Sequence, residues 1–163
     1  GTVTFDPLPT FSGTATPVTY QASDTLGQFV SATITPAVTA PTAPVATAQT
    51  KSVLRSGTAT FTTVTGTSGL ATGTQLQTSG ANATCLYVPT TTTCDADNVI
   101  SITGEGTYTL NPVTGVVTFV ADSNAVAGAQ TTITYRVTDI TGQTATSTLT
   151  PVVPPAPAAV AVL

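Results

Sequence analysis

The chain has 163 residues, enough for one or two domains, and carries a net charge of −4 with only three basic residues, Lys51, Arg55 and Arg136. Three scattered cations cannot build the basic patch that nucleic acid or an anionic membrane needs, and no apolar run reaches the roughly 18 residues of a membrane span. With no His in the chain, serine- and cysteine-dependent catalysis lacks its usual base.

Hydrophobic residues make up 40% of the chain, but there is no Trp or Met and there are only five Phe and four Tyr. Such a composition suits a thin core of small, β-branched side chains between two sheets, at about 100 residues per domain. Charged residues are 6% of the total, against about 25% in ordinary soluble domains. Thr takes over the polar positions, where it fits the outer face of a pleated strand. No stretch combines the Ala, Leu, Glu and Lys of a helix, so an all-β fold with no helices is expected.

In chain order, residues 1–37 alternate like strands, with Val3 and Phe5 on one face and Val18 and Tyr20 on another short stretch. Between them, 5–13 is a loop, because its two prolines forbid ladder pairing. Asp24-Thr-Leu-Gly27 is a tight turn, with Asp24 capping the backbone and Gly27 taking a positive φ. Residues 38–49 then read as an extended Pro/Ala/Thr linker with little to bury. Strands are expected at 58–65, 84–88 and 98–102, separated by Gly/Thr/Ser-rich loops such as 66–73. A hairpin follows, with Tyr108 and Leu110 opposite Val117 and Phe119. Its turn is Asn111-Pro112-Val-Thr-Gly115, Pro112 presetting φ and Gly115 taking the bulge. Asp139-Ile-Thr-Gly142 repeats the earlier turn, and residues 153–163 form a second Pro/Ala-rich connector or inter-subunit tail.

Much of this appears twice. Gly1-Thr-Val-Thr-Phe5 returns as Gly115-Val-Val-Thr-Phe119, at an offset of 114. At an offset of 115, Val18-Thr-Tyr20 returns as Ile133-Thr-Tyr135, Asp24 to Gln28 as Asp139 to Gln143, and Ala32-Thr-Ile-Thr-Pro36 as Ser147-Thr-Leu-Thr-Pro151. A period above one hundred residues marks tandem domains rather than a solenoid. The expected organisation is the C-terminal part of one β-sandwich repeat at 1–37, the linker at 38–49, a complete repeat at 50–152 and the connector at 153–163. The chain has neither an initiator Met nor a signal peptide, so it reads as processed or excerpted.

The string Gly104-Glu-Gly-Thr-Tyr-Thr-Leu, followed by Gly115-Val-Val-Thr-Phe119, resembles the repeat domains of CshA-type bacterial surface adhesins. Val3-Thr-Phe5-Asp-Pro7, Phe11-Ser-Gly13-Thr-Ala15 and Pro17-Val-Thr-Tyr20 resemble them too. Residues 120–126 depart from the pattern, losing its Pro and Phe, and the first half of the complete repeat matches least. The resemblance implies Ig-like, Greek-key β-sandwich units strung in tandem as an extracellular stalk. Its partners would be neighbouring copies or flanking repeats, and any host or cell-surface receptor would be bound by other regions.

The remaining candidates are few. Cys85 and Cys94 flank a short polar loop and suggest a disulfide in an oxidising compartment. The alternative is a two-ligand metal site, for which no His or further Cys completes a zinc shell. A disulfide across so short a loop adds about 2–3 kcal/mol. Asp95 and Asp97 are candidates for one side of a calcium site, with a solvated acidic loop as the plainer reading. Glu105 is a catalytic carboxylate only if a second one faces it, and none is evident. Lys51, the only lysine, is read as solvated rather than as the donor of an isopeptide bond. Asn82-Ala-Thr84 is a glycosylation sequon, and the Thr-rich stretches are candidate O-glycan sites. No cofactor is implied. A filament subunit with open edges at 1–37, bridged by the apolar residues 158–163, is one structural version. A secreted carbohydrate- or protein-binding module is the alternative, for which Tyr87 and Phe61 are the only aromatic anchors and a core role suits both.

Overall fold

The computed structural model describes residues 1–63 and 75–157, and the strands within them are all β with no helix. In the N-terminal part lie β1 (Gly13–Thr14), β2 (Val18–Ser23), β3 (Phe29–Ile34) and β4 (Ala37–Val38). Next come β5 (Gln49–Ser52), β6 (Thr58–Thr62), β7 (Cys85–Tyr87), β8 (Val99–Ile102) and β9 (Gly106–Leu110). The last are β10 (Val116–Ala121), β11 (Gly128–Ala129), β12 (Ile133–Thr138) and β13 (Thr144–Val153).

From β5 onward the strands make two sheets. One runs β6-β10-β9-β8, all antiparallel. In the other, β13 is central: β12 pairs antiparallel along one edge, with β7 beyond it, and β5 pairs parallel along the other. Further along the β12 side, β13 also pairs with β11. The inward faces meet in one core. Ala59, Phe61, Ile100, Tyr108, Leu110, Val117, Phe119 and Ala121 come from the first sheet, and Leu86, Ile133, Tyr135, Val137, Leu149 and Val153 from the second. This is a β-sandwich. The period-two pattern is plain in β9 and β10, where Tyr108, Leu110, Val117 and Phe119 are buried while Thr109 and Val120 face out. Leu110 pairs with Val117 and Tyr108 with Phe119, and the Tyr108 and Phe119 rings lie 4.5 Å apart at a tilted angle.

Gly106 explains why a glycine opens this hairpin. At φ 151° an added Cβ would stand 2.3 Å from the Val120 carbonyl and 2.6 Å from the Phe119 ring, so any side chain would displace the core aromatic.

The N-terminal part repeats the closing strands of the sandwich. β2 pairs with β3 from Val18↔Ile34 to Ser23↔Phe29, as β12 pairs with β13 from Ile133↔Leu149 to Thr138↔Thr144. β1 pairs with β4 at Gly13↔Val38 and Thr14↔Ala37, as β11 pairs with β13 at Gly128↔Val153 and Ala129↔Val152. Every one of these pairs is reproduced at the offset of 115. Residues 1–5, however, form no strand. In the complete repeat the matching strand, β10, is flanked by β6 and β9, and residues 1–5 have no counterpart of either. Their expected strand-like alternation is therefore corrected to chain without a ladder.

Two further expectations change. β6 ends at Thr62 and Thr63 lies beyond it outside any strand, while residues 64–65 of the strand expected at 58–65 and the whole loop at 66–73 lie outside the described residues. The stretch 38–49, expected to bury little, is held down: Pro44 is buried and Ala46 packs against the core.

Candidate functional site

The polar chemistry of the complete repeat is spent on closing it. Asp139 sits at a buried turn where Oδ1 accepts from the Thr141 and Gln143 amides at 2.9 Å each, and Gly142 has φ 88°. Asp24 accepts from the Leu26 and Gln28 amides at 2.9 Å, with Gly27 at φ 81°. In the hairpin turn Asn111 Oδ1 accepts from the Val113 and Thr114 amides, Pro112 occupies the next position, and Gly115 has φ 70°. Asp95 is committed the same way, to the Asp97 and Val99 amides at 3.0 Å. Among the described residues no three His, Cys, Asp or Glu side chains cluster as metal ligands.

Glu105 holds the two sheets together at one end. Its carboxylate accepts from the Thr131 amide at 2.5 Å and the Thr131 hydroxyl at 2.8 Å, while the Tyr108 hydroxyl donates to the Thr131 carbonyl at 2.6 Å. Burial, reinforced by the Glu105 charge, raises the Tyr108 phenol well above its ordinary pKa.

One free edge of each sheet is covered. Cys85 and Cys94 are bonded as a disulfide, with Cα atoms 5.6 Å apart. The loop it closes folds back along the free edge of β7, pairing Tyr87 with Cys94 and donating from the Asp95 amide to the Leu86 carbonyl. On the other sheet, the free edge of β6 receives two side chains from β5. Lys51 Nζ donates to the Thr60 carbonyl at 2.5 Å and Gln49 Nε2 to the Thr62 carbonyl at 2.7 Å. Lys51 is thus bonded rather than merely solvated, and its ammonium also lies 5.8 Å from the Phe61 ring centroid. Covered edges do not recruit foreign strands.

Buried threonines add a layer that outward-facing placement misses. Thr84 Oγ1 donates to the Thr138 carbonyl at 3.3 Å and accepts from its amide at 3.1 Å. Thr63 Oγ1 donates to the Gly115 carbonyl. Asn82 of the sequon is exposed while Thr84 is buried.

Phe61 is fully buried. Tyr87 is not: it is half-buried beneath the Arg136 guanidinium, 5.8 Å from its ring centroid, in a shallow depression of about 300 Å3 shared with Thr91, Thr92, Thr134 and Thr146. Arg136 itself is anchored by the carbonyls of Ala81 and Ala83.

The arrangement with most bearing on function lies where 38–49 meets the sandwich. The Tyr135 hydroxyl accepts from the Thr47 amide at 3.1 Å and donates to the Thr47 carbonyl at 3.0 Å, behaving as one residue of an adjacent strand. Gln143 Nε2 donates to the Pro41 carbonyl at 2.9 Å and to Asp139 Oδ2 at 3.2 Å. Parallel pairing of β5 with β13 follows. Val38 is still paired with Gly13 in β4, so only residues 39 and 40 lie between the last pair of one copy and the first bond to the next. In the N-terminal copy the matching side chains, Tyr20 and Gln28, have no such segment on them among the described residues.

Among families of known proteins, the repetitive domain of the surface adhesin CshA matches residues 1–38 and again 41–153. The chain belongs to this family. The two matches divide at residues 39 and 40, the stretch between the Gly13–Val38 pair and the Gln143 contact, and the second match begins on the incoming segment at Pro41. The family is an adhesin repeat and not an enzyme class. No curated protein matches the chain. No helix of the described residues is long and apolar enough to cross a membrane. Residues 158–163, expected to help bridge subunits, lie outside the described residues.

Proposed function

We propose that this adhesin repeat segment is part of an extracellular stalk on a bacterial surface, and that its work is mechanical: spacing and stiffening. The observation that carries this reading is the reproduction, pair for pair at an offset of 115, of β11–β13 by β1–β4 without the facing sheet. Residues 1–37 are then the closing strands of one repeat, 38–49 the connection, 50–152 a complete repeat and 153–163 the next connection. The turn residues Asp24, Gly27, Asn111, Pro112, Gly115, Asp139 and Gly142 serve folding. Asn82 is exposed and so accessible to glycosylation. Partners are flanking repeats or neighbouring copies, and receptor binding falls to other regions.

Strand complementation follows from the same observation. Residues 1–37 need an opening segment resembling residues 41–114. The opening segment comes from an adjoining repeat, in the same polypeptide or in a neighbouring subunit.

The test is to fuse a second copy of residues 41–114 ahead of residue 1 and image the product by electron microscopy. Two beads joined at a short, constant spacing are expected. A single bead with a frayed extension would remove the proposal.

A further inference from the structure

We propose that Tyr20 and Gln28, unfilled by any described residue, form a docking slot for the Pro/Ala-rich segment leaving a preceding repeat, with residues 154–163 of a second copy as its occupant. The inference rests on the tandem reading and names the contact that joins one repeat to the next.

The filled version of the slot is in this same chain. Tyr135 and Gln143 grip the incoming segment at two backbone positions six residues apart, Thr47 and Pro41. Both grips are on main-chain atoms: an amide and carbonyl at 47, a carbonyl at 41. They ask for an extended chain with small side chains, not for particular residues. Of the side chains between, Pro44 is buried and Ala46 touches the core.

At the offset of 115 the slot residues recur as Tyr20 and Gln28, and the gripped residues recur as Val162 and Ala156. Between these, Val160 and Ala161 repeat Val45 and Ala46, while Ala159 stands where Pro44 does. An alanine keeps the space small but loses the fixed φ of proline. The hairpin carrying Tyr20 and Gln28 already has the native register, and the turn holding Gln28 is set by Asp24 as Asp139 sets that of Gln143. What differs is that no described residue bonds to the side chains of Tyr20 and Gln28 as Thr47 and Pro41 do to Tyr135 and Gln143, and that Tyr20, without a facing sheet, is 42% exposed against 1% for Tyr135.

Two grips and a few small apolar contacts give an affinity on the order of millimolar between separate molecules. Within one polypeptide the joint of residues 39 and 40 raises the effective concentration of the segment to about the same range or above it, so docking is substantially populated. A weak slot repeated along a tandem array converts each Pro-rich connection from a tether into a seated strap.

Two measurements on the full chain test this. In the first, Tyr135→Phe combined with Gln143→Ala should speed amide exchange across 42–48 at least about tenfold, while exchange in β9 and β10 stays within about twofold. In the second, a synthetic peptide of residues 154–163 is titrated to several millimolar into isotopically labelled chain. The resonances of Tyr20 and Gln28 should shift progressively, those of Tyr135 and Gln143 should not, and Tyr20→Phe with Gln28→Ala should abolish the shift. Unchanged exchange in the first, no movement at residues 20 and 28 in the second, or movement that survives the double variant would each overturn the proposal. The bead spacing of the fused chain reads the tandem arrangement independently, so loss of the slot would leave that reading standing.

Discussion

Residues 13–38 and 128–153 are the same set of strands in two situations. Their pairings match residue for residue, yet in one copy Ile133, Tyr135 and Val137 are buried, while in the other Val18 is 60% and Tyr20 42% exposed. Turn chemistry and cross-strand pairing are local and survive in both. Burial is not local: it needs the sheet of β6, β8, β9 and β10. Strand formation itself can depend on that sheet. Residues 116–119 are strand inside the sandwich, and the matching residues 2–5 form none, because a strand exists only through its partners. A two-stranded hairpin without a second layer is marginal in water, so the N-terminal copy holds its register while lacking most of its stabilisation.

The largest expected contrast comes from the aromatic pair. Phe119→Ala, at a fully buried ring, costs about 3–5 kcal/mol of the complete repeat's stability by urea unfolding. Phe5→Ala, at the equivalent position, is 46% exposed and should change it by no more than about 0.5 kcal/mol. Equal effects would mean that residues 1–5 are packed somewhere.

Removal of the disulfide comes next. Cys85→Ala with Cys94→Ala should cost about 2–3 kcal/mol. It should also release the loop covering β7, producing association at high concentration that light scattering would detect. Among the described residues the N-terminal hairpin has no matching cover, so its β2 edge should stay the more reactive of the two in the wild-type chain.

A smaller effect separates the two slot tyrosines. Tyr135→Phe breaks two hydrogen bonds to Thr47 and should cost about 1–2 kcal/mol, while Tyr20→Phe should cost nothing measurable. The pH dependence follows from burial. The Tyr108 and Tyr135 phenols are both raised in the fold, in each case chiefly by burial. Their contribution is complete below the unfolded phenol pKa of about 10 and is lost as pH rises through and beyond it. Urea midpoints should therefore fall above pH 10, and Tyr108→Phe should flatten that fall.

Much of this was readable from the sequence, because the signals are short-range. The hairpin at 106–119 announces its register through alternating Tyr108, Leu110, Val117 and Phe119 and the Asn-Pro turn. The Asp-x-x-Gly turns are spelled out in four residues, and the offset of 115 gives the tandem arrangement. β5 was not legible: Gln49-Thr-Lys-Ser52 has no apolar alternation, since its side chains act on the carbonyls of β6 and its backbone on β13. The seated connection was missed for a related reason. Tyr135 reaches Thr47 across 88 residues and Gln143 reaches Pro41 across 102, leaving no local pattern. The available signal was the return of both side chains in each copy, which marks them as serving something beyond their own turn. Buried Thr63 and Thr84 escape notice because a threonine inside the core reads the same as one on its surface.

The central claim is that the chain holds one complete repeat and the closing strands of another. Amide exchange measured at the equivalent pairs, Tyr20 against Tyr135 and Ala22 against Val137, tests it most directly. The account predicts that positions 20 and 22 exchange at least about a hundredfold faster than 135 and 137 in this chain, and that the gap closes once residues 41–114 are fused ahead of residue 1. Equal protection at both sets of positions in the unfused chain would contradict it, because the N-terminal strands would then already have their second layer.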